Sequence, residues 1–154
     1  MRFDATDRRI LELLQMDASM PLAELAQHVH LTQTPCWKRV QRLKRSGVIR
    51  RQVTLCDPAA LGVGTTVFVS LRTAQHSAQW SERFSALVAT VPEVVEVYRM
   101  TGDRDYLLRL AVGGIDDYDR IYHTLVQSIQ IHDITSNFAM EQVKYSTALP
   151  VREN

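Results

Sequence analysis

The sequence is short of cysteine and has no long apolar run, and both shortages exclude whole classes of protein. Its 154 residues include two cysteines, too few for a disulfide framework or a four-cysteine zinc site. No apolar run approaches the roughly 18 residues that cross a membrane, and the first residues, Met1-Arg2-Phe3-Asp4, contain no apolar signal-peptide core. We therefore expect a soluble protein of the reducing cytoplasm with no membrane partner.

Catalytic and nucleotide-binding motifs are missing as well. The sequence contains no G-x-x-x-x-G-K-S/T, G-x-G-x-x-G or G-x-S-x-G pattern, and its five histidines are scattered without metal-ligand spacing. Cys36 falls on the predicted buried face of a helix, and no base or helix N-terminus lies near Cys56 in the sequence. We expect no enzymatic activity, no metal and no cofactor. A thiol-based redox regulator and, with less support, an amino-acid-metabolising enzyme are the alternatives.

The charge is divided unevenly along the chain. Residues 1–60 carry 10 Lys and Arg against 6 Asp and Glu, whereas residues 61–154 carry 8 against 11. Residues 37–51 hold seven positive charges and no negative one. A solvated helix face normally mixes the two signs, because like charges four residues apart repel each other. This pattern favours a nucleic-acid partner for the first third of the chain.

The first third is predicted to form three short helices. Asp4 is placed to cap the first, whose apolar stripe consists of Ile10, Leu11 and Leu14. Ser19 is predicted to cap the second, with Pro21 in its first turn. A break of three or four residues then leads into the third helix.

The third helix combines a buried face with a basic one. Thr32 or Thr34 is predicted to cap it, and Gly47 to end it. Its buried face consists of Cys36, Val40 and Leu43, and its basic face of Lys38, Arg39, Arg42 and Arg45. Polar residues cluster at its start: Thr32, Gln33 and Thr34. Two helices joined by a short turn, the second basic, are typical of a helix-turn-helix that enters the major groove of DNA.

A hinge separates this region from a second domain. Residues 48–55 have strand character, and Asp57-Pro58 ends the strand. We predict a DNA-binding domain over 1–56, a hinge over 57–64 and a second domain over 65–154.

The second domain is predicted to be α+β, with a ferredoxin-like βαββαβ order. The predicted strands cover Thr65–Arg72, residues 94–100, Tyr106–Val112 and part of residues 131–143. One helix ends before Pro92, and Asp116 or Asp117 is predicted to cap the other. Helices cover one face of such a sheet, so the other face, apolar in part, is predicted to pack against a second subunit.

The loop between the second and third strands is a candidate binding element. Residues 101–106 place one glycine and two carboxylates between paired strands. Glycine lets backbone N–H groups approach a ligand carboxylate, and a carboxylate can receive an α-ammonium group. Spacing alone favours the alternative, an ordinary hairpin turn.

Four segments, in order along the chain, resemble the Lrp/AsnC (leucine-responsive/asparagine, feast/famine) family of transcription factors. Residues 31–49 resemble its recognition helix, and Asp4-x-x-Asp7-x-x-Ile10-Leu11 resembles its first helix. Residues 101–108 resemble its effector-loop signature, and residues 138–144 resemble its last strand. Residues 34–39 and 136–147 resemble most closely a branch that includes cysteine-responsive activators of cysteine breakdown.

The resemblance implies a winged helix-turn-helix followed by an amino-acid-sensing domain. It also implies dimers that associate further, often to octamers, and an amino acid bound between dimers. By position, the effector residues are Gly102, Asp103, Asp105, Thr135, Ser136 and Asn137. Arg104 occupies a position that varies in the family, so no effector role is assigned to it.

The helix pattern and the resemblance together predict a regulator that binds a roughly palindromic promoter site in duplex DNA at the bacterial nucleoid. Phosphates or guanine edges are expected to be contacted by Lys38, Arg39, Arg42 and Arg45, and bases or backbone by Thr32, Gln33 and Thr34. The expected effector is a small amino acid, with cysteine first and leucine, methionine or alanine next.

Overall fold

The computed structural model describes residues 3–73 and 75–152. These residues form two compact units. The helical unit comprises the described residues up to Thr54 together with those from Val143 onward, and the sheet unit comprises Leu55–Gln142. The C-terminal segment, part of the predicted second domain, makes its contacts with the helices. Among the residues described, no helix is long and apolar enough to span a bilayer.

Three helices form the helical unit: α1 (Ala5–Met16), α2 (Leu22–His28) and α3 (Gln33–Arg45). Asp4 caps α1 as predicted, because the Asp7 N–H donates to its carboxylate at 2.8 Å. The fully or nearly fully buried residues between the helices are Ile10, Leu11, Leu25, Ala26, Val29, Cys36, Val40 and Leu43. Their spacing on each helix is the 3.6-residue period that the sequence shows.

The C-terminal segment packs on this helical core. The Gln15 side-chain amide donates to the Leu149 carbonyl at 3.0 Å and accepts from the Leu149 N–H at 2.7 Å. Val151 packs against the buried cluster of the helices. Residues 143–152 therefore belong to the helical unit although no regular secondary structure holds them.

Two predictions about the ends of the helices need correction. Ser19 does not cap α2, because the Asp17 carboxylate binds both the Ser19 N–H at 2.8 Å and its hydroxyl at 2.6 Å, and the helix begins at Leu22 after Pro21. Thr32 occupies the N-cap position of α3, but its side chain makes no capping bond. Gly47 follows the end of α3 as predicted, in the left-handed conformation at φ +76°.

The prediction of a strand over residues 48–55 is wrong. The structure assigns no strand there, and most of these side chains are exposed. A strand is stable only when a neighbour completes its hydrogen bonds, and the sheet pairings of the described residues begin at Thr65. β propensity without a partner strand leaves this segment irregular, so the helix-turn-helix has no paired wing within the described chain.

The sheet unit has the predicted βαββαβ order. Its elements are β1 (Thr65–Arg72), α4 (Ala78–Ala89), β2 (Val94–Arg99), β3 (Tyr106–Val112), α5 (Ile115–Ser128) and β4 (Asp133–Phe138). The strands lie in the order β2-β3-β1-β4, and all three pairings are antiparallel. This is the ferredoxin-like arrangement, and it confirms the α+β prediction. The cap of α5 differs: Gly114 is the N-cap, while Asp116 and Asp117 lie in the first turn.

The two faces of the sheet differ in composition. Side chains of β1 and β3 alternate, so that one face packs beneath α4 and α5. That face is formed by Val67, Val69, Leu71, Leu108, Leu110 and Val112. On the other face Phe68 lies opposite Arg109 of β3 and Asn137 of β4, and its side chain is partly exposed. No element among the described residues of the sheet unit covers this face.

Candidate DNA-reading helix and effector cleft

The outward face of α3 follows from the position of its buried face. Cys36, Val40 and Leu43 are buried against the other helices. The residues on the opposite side of the helix recur at i, i+4, i+7 and i+11: Thr34, Lys38, Gln41 and Arg45. Neither Lys38 nor Arg45 has an ion-pair partner among the residues that the structure describes. Along this face two unneutralised cations therefore alternate with two polar side chains.

Two of the predicted DNA-contacting arginines are engaged elsewhere. The Arg39 guanidinium binds the carboxylates of Asp4 at 2.6 Å and Asp7 at 2.8 Å, and Arg42 binds Asp7 at 2.5 Å. Asp7 is 1% exposed, so these ion pairs hold α1 against α3. The Asp7 N–H and the Arg39 guanidinium hold the pKa of the Asp4 carboxyl below its ordinary value. Arg39 thus has two carboxylate partners within the described chain, and the more exposed Arg42 has one; their predicted contacts with DNA stay predictions.

The turn of the helix-turn-helix has the predicted length. Four residues separate His28 from Gln33. His30 within this turn has φ +54°, a left-handed conformation that a non-glycine residue adopts only where the chain must turn tightly. The exposed start of α3 then displays Thr32, Gln33 and Thr34, as predicted. Three further residues of α3 had no predicted role: Trp37 and Lys44, which are exposed, and Gln41, which is half-buried. Their helical spacing from Gln33 and Thr34 was a usable signal.

The two thiols have different surroundings. Cys36 is buried in the helical core, and desolvation by burial raises the pKa of its thiol. A thiol held protonated and away from solvent is a poor nucleophile. Cys56 is exposed. The geometry of Cys36 therefore speaks against a redox switch built on both cysteines.

The predicted effector loop lines an open cleft of about 400 Å³ in the sheet unit. Its lining residues are Arg72, Thr73, His76, Gly102, Asp103, Asp105 and His132. All are polar apart from the glycine, so the cleft fits a charged or polar molecule better than a bulky apolar one. Gly102 has φ +111°, a backbone conformation in which a residue with a side chain would be strained, and this explains why glycine occupies the turn.

The two loop carboxylates differ in function. The Asp105 carboxylate accepts the Thr73 N–H at 2.8 Å, and its backbone N–H donates to the Leu71 carbonyl at 2.9 Å. Asp105 therefore braces the end of β1 against the loop. The Asp103 side chain is 93% exposed, and its only ion-pair partner among the described residues is the neighbouring Arg104 guanidinium at 3.9 Å. Arg104, which was given no effector role, points away to an ion pair with Asp133.

The three β4 residues predicted for the site do not line the cleft. Thr135 and Asn137 lie on the open sheet face, opposite Ser70 and Phe68, while Ser136 lies on the helix face. The Ser136 hydroxyl shares a hydrogen bond with the Tyr118 hydroxyl of α5. Alternation along the strand places neighbouring residues on two faces, so Ser136 faces away from Thr135 and Asn137.

Four lining residues were missed by sequence analysis. Arg72 is the last residue of β1, Thr73 and His76 follow that strand, and His132 precedes β4. The antiparallel pairing brings them together, since the His132 N–H donates to the Arg72 carbonyl at 2.8 Å. The Arg72 guanidinium has no ion-pair or hydrogen-bond partner within the described part of the chain. No local pattern connects residues 60 positions apart, so the sequence contained no signal for them.

A helix-turn-helix with a basic outward face, joined to a ferredoxin-like unit with a polar cleft, defines a ligand-responsive DNA-binding regulator as the class of this protein. Residues 3–44 match the AsnC-type helix-turn-helix domain, and residues 66–149 match the Lrp/AsnC ligand binding domain. The chain belongs to the Lrp/AsnC family of transcriptional regulators.

Individual relatives and solved structures agree with this assignment. The chain is 46% identical to the DNA-binding transcriptional activator DecR of Escherichia coli over 149 residues, which cover 96% of this chain and 98% of DecR. It is 45% identical to the glutamate uptake regulatory protein of Zymomonas mobilis over 152 residues, 99% and 93% of the two chains.

Two crystal structures have the same fold. An AsnC family regulator from Agrobacterium tumefaciens superposes with a TM-score of 0.92 at 52% identity, covering 96% of this chain and 97% of the other. A Neisseria meningitidis regulator in complex with L-methionine superposes with a TM-score of 0.91 at 29% identity, covering 96% of each chain. The relatives are regulators, which confirms the expectation that the chain is not an enzyme.

Proposed function

We propose that this protein binds a specific, roughly palindromic site in duplex DNA through the outward face of α3, and that an amino acid in the sheet-unit cleft modulates that binding. The observation that carries the first part is the pair of unneutralised cations on the exposed face, Lys38 in the middle of α3 and Arg45 at its end. Thr32, Gln33, Thr34 and Gln41 supply hydrogen-bonding groups for base edges or backbone beside them. The site of action is the nucleoid in the cytoplasm.

Lys38 is the cleanest probe of this face. Each phosphate that a cation neutralises adds about 0.9 to the slope of log affinity against log salt. Lys38→Ala should therefore weaken binding and reduce that slope by about 0.9 per bound protomer, or about 1.8 for a dimer on a palindromic site, in a titration of labelled promoter DNA. Arg42→Ala is a poorer probe, because it also breaks the ion pair with Asp7. The control is Arg83→Ala, which removes the same charge from the exposed surface of α4.

The two variants together distinguish a phosphate contact made by Lys38 from a general effect of net charge. Lys38→Ala with the parental slope would mean that α3 does not lie against the phosphates. A reduced slope for Arg83→Ala of equal size would mean that the effect comes from net charge and not from a contact.

We infer that the effector is an α-amino acid whose carboxylate pairs with Arg72 and whose ammonium pairs with Asp103. Both side chains line the cleft, Asp103 is exposed, and the guanidinium of Arg72 lacks a partner among the described residues. Gly102 leaves room for backbone approach. The branch resemblance puts cysteine first, ahead of leucine, methionine and alanine. The relatives named above concern glutamate uptake in one case and an L-methionine complex in another, which supports an amino acid without selecting one.

Calorimetry against the twenty amino acids tests this assignment. For the amino acid that binds, Arg72→Gln and Asp103→Asn should each lower affinity tenfold to a hundredfold, the equivalent of one charge-assisted hydrogen bond of about 1.5–3 kcal/mol. Arg83→Gln, outside the cleft, should leave it unchanged. Parental affinity in both cleft variants would place the effector elsewhere.

The partly apolar open sheet face supports a homodimer, with further association up to an octamer. Phe68 lies at its centre, beside the Arg109–Glu96 ion pair that spans β3 and β2 at 2.6 Å. Phe68→Arg should shift the chain toward monomer in analytical ultracentrifugation at micromolar concentration. The control is Ile115→Arg at the exposed start of α5. An unchanged sedimentation coefficient for Phe68→Arg would exclude this face as the interface.

A further inference from the structure

The two tryptophans of the chain have opposite environments. Trp80 is 5% exposed in the sheet unit, its ring stacks on Phe84 with centroids 5.2 Å apart, and its indole N–H donates to the Gln130 carbonyl at 2.9 Å. Trp37 is 50% exposed on α3. No residue that the structure describes hydrogen-bonds its indole N–H or contacts its ring with another aromatic ring. Single exposed apolar side chains are common on protein surfaces, so the role of Trp37 has to be argued from its position on α3.

Trp37 lies beside the outward face of α3 that is proposed to meet DNA. Trp37 is one residue before Lys38 and four residues from both Gln33 and Gln41, so it flanks the outward face. It lies in the N-terminal half of the helix, the part that meets base edges when a recognition helix enters the major groove. Arg39 and Arg42, on the other flank, are held by carboxylates of α1 and its cap. The side of α3 that carries Trp37 is thus the side left available for reading bases.

We propose that Trp37 recognises thymine through apolar contact between its indole ring and the C5-methyl group in the major groove. The thymine methyl is the one large apolar group on the base edges of that groove, and cytosine carries only a hydrogen at C5, beside its C4 amino donor. An indole ring cannot replace a phosphate contact, so it adds sequence preference and little salt dependence. This role rests on the proposed DNA binding by α3 and goes beyond it by assigning the base that the helix reads.

Deoxyuridine gives the sharpest test, because it differs from thymine only by the missing methyl. A duplex is first selected from random sequence by the full-length protein, and each thymine of the selected site is then replaced singly. The parent should lose about fourfold in affinity at one or two positions per half-site, the value of one buried methyl-sized group. Trp37→Ala should bind thymine and deoxyuridine duplexes equally well at those positions, and Trp37→Phe should keep part of the difference.

One control variant and one second measurement accompany the deoxyuridine test. Lys38→Ala should weaken both duplexes by the same factor and so preserve the thymine preference, because it removes a charge and no methyl contact. Tryptophan fluorescence gives a second reading: DNA should quench Trp37, whereas Trp80 is buried in the sheet unit. Loss of that quenching in Trp37→Ala, with an unchanged circular dichroism spectrum, supports the contact.

Three results would overturn the proposal. The first is a thymine preference that survives in Trp37→Ala. The second is parental affinity of Trp37→Ala for every duplex, which would leave α3 as the DNA-binding element but remove Trp37 from it. The third is a shift of Trp37→Ala to a smaller assembly in ultracentrifugation without DNA, which would show that a second copy of the chain covers the ring. Failure of the parent to select any duplex would instead contradict the proposed function.

Discussion

Replacing Asp7 by asparagine should destabilise the helical unit while leaving the sheet unit unchanged. Asp7 is buried, and its carboxylate accepts hydrogen bonds from Arg39 at 2.8 Å and from Arg42 at 2.5 Å. Asparagine preserves the volume but removes the charge. Each charge-assisted bond is worth about 1.5–3 kcal/mol. Both guanidinium groups are a third to a half exposed and would regain water, which reduces the sum.

A net loss of about 2–3 kcal/mol is the result of these opposing terms. It corresponds to amide hydrogen exchange about 30 to 150 times faster in α1 and α3. Exchange measured by mass spectrometry resolves the two units, so peptides from β1 and β3 serve as an internal reference. A single unfolding temperature would mix the units and is a poorer readout.

Glu12→Gln is the matched control for this experiment. It makes the same chemical change on the same helix, but the ion pair between Glu12 and Arg9 is exposed on both sides, and such pairs contribute little. We expect less than a threefold change in exchange for it. Equal exchange in α1 and α3 for Asp7→Asn and the parent would refute the reasoning, because it would show that the ion pairs do not hold the helices together.

Three further predictions concern the remaining contacts. Asp105→Ala should lower both the melting temperature of the sheet unit and the affinity for the effector, because it leaves the Thr73 N–H without its acceptor. Asp103→Ala should lower only the affinity for the effector. Calorimetry with and without ligand separates these two effects. The Arg109 guanidinium and the Tyr98 hydroxyl lower the pKa of the Glu96 carboxyl. The ionised Glu96 therefore stabilises the folded sheet unit at neutral pH, and this stabilisation is lost as the pH falls below the ordinary pKa of a carboxyl group. Glu96→Gln should therefore reduce the difference in urea midpoint between pH 7 and pH 3, followed by Trp80 fluorescence in a Trp37→Phe background. Gln15→Leu should speed hydrogen exchange in α1, because it removes both bonds to the backbone of the C-terminal segment.

The fold was largely predictable because its signals are local. Thr65–Arg72 and Tyr106–Val112 were found at their observed bounds, since each is a run of β-branched and apolar residues ended by polar or turn residues. The cap at Asp4 was found for the same reason. The prediction that Ser19 caps α2 was wrong because the carboxylate of Asp17, two residues earlier, binds the Ser19 N–H. The prediction of a strand over residues 48–55 was wrong because strand propensity cannot supply the partner strand.

The candidate sites were less predictable because their decisive contacts are distant in sequence. Arg39 and Arg42 have the spacing of a DNA-binding face, and only the tertiary structure shows the carboxylate of Asp7, more than 30 residues earlier, beside them. Arg72 and His132 meet across the β1–β4 pairing, which the order of the strands implies but no residue pattern marks. Charge and periodicity identify a face, and the pairing of individual side chains decides which residues on it remain free.

The packing of the C-terminal segment on α1 determines the order in which a newly made chain can finish folding. The chain leaves the ribosome from its N-terminus, so residues 5–45 emerge first and Leu55–Gln142 emerge before Leu149 and Val151. The helical unit therefore gains its last contacts only when the end of the chain has been released, after every residue of the sheet unit has been synthesised. Its stability depends on residues from both ends of the chain, whereas the sheet unit draws its core from one continuous segment.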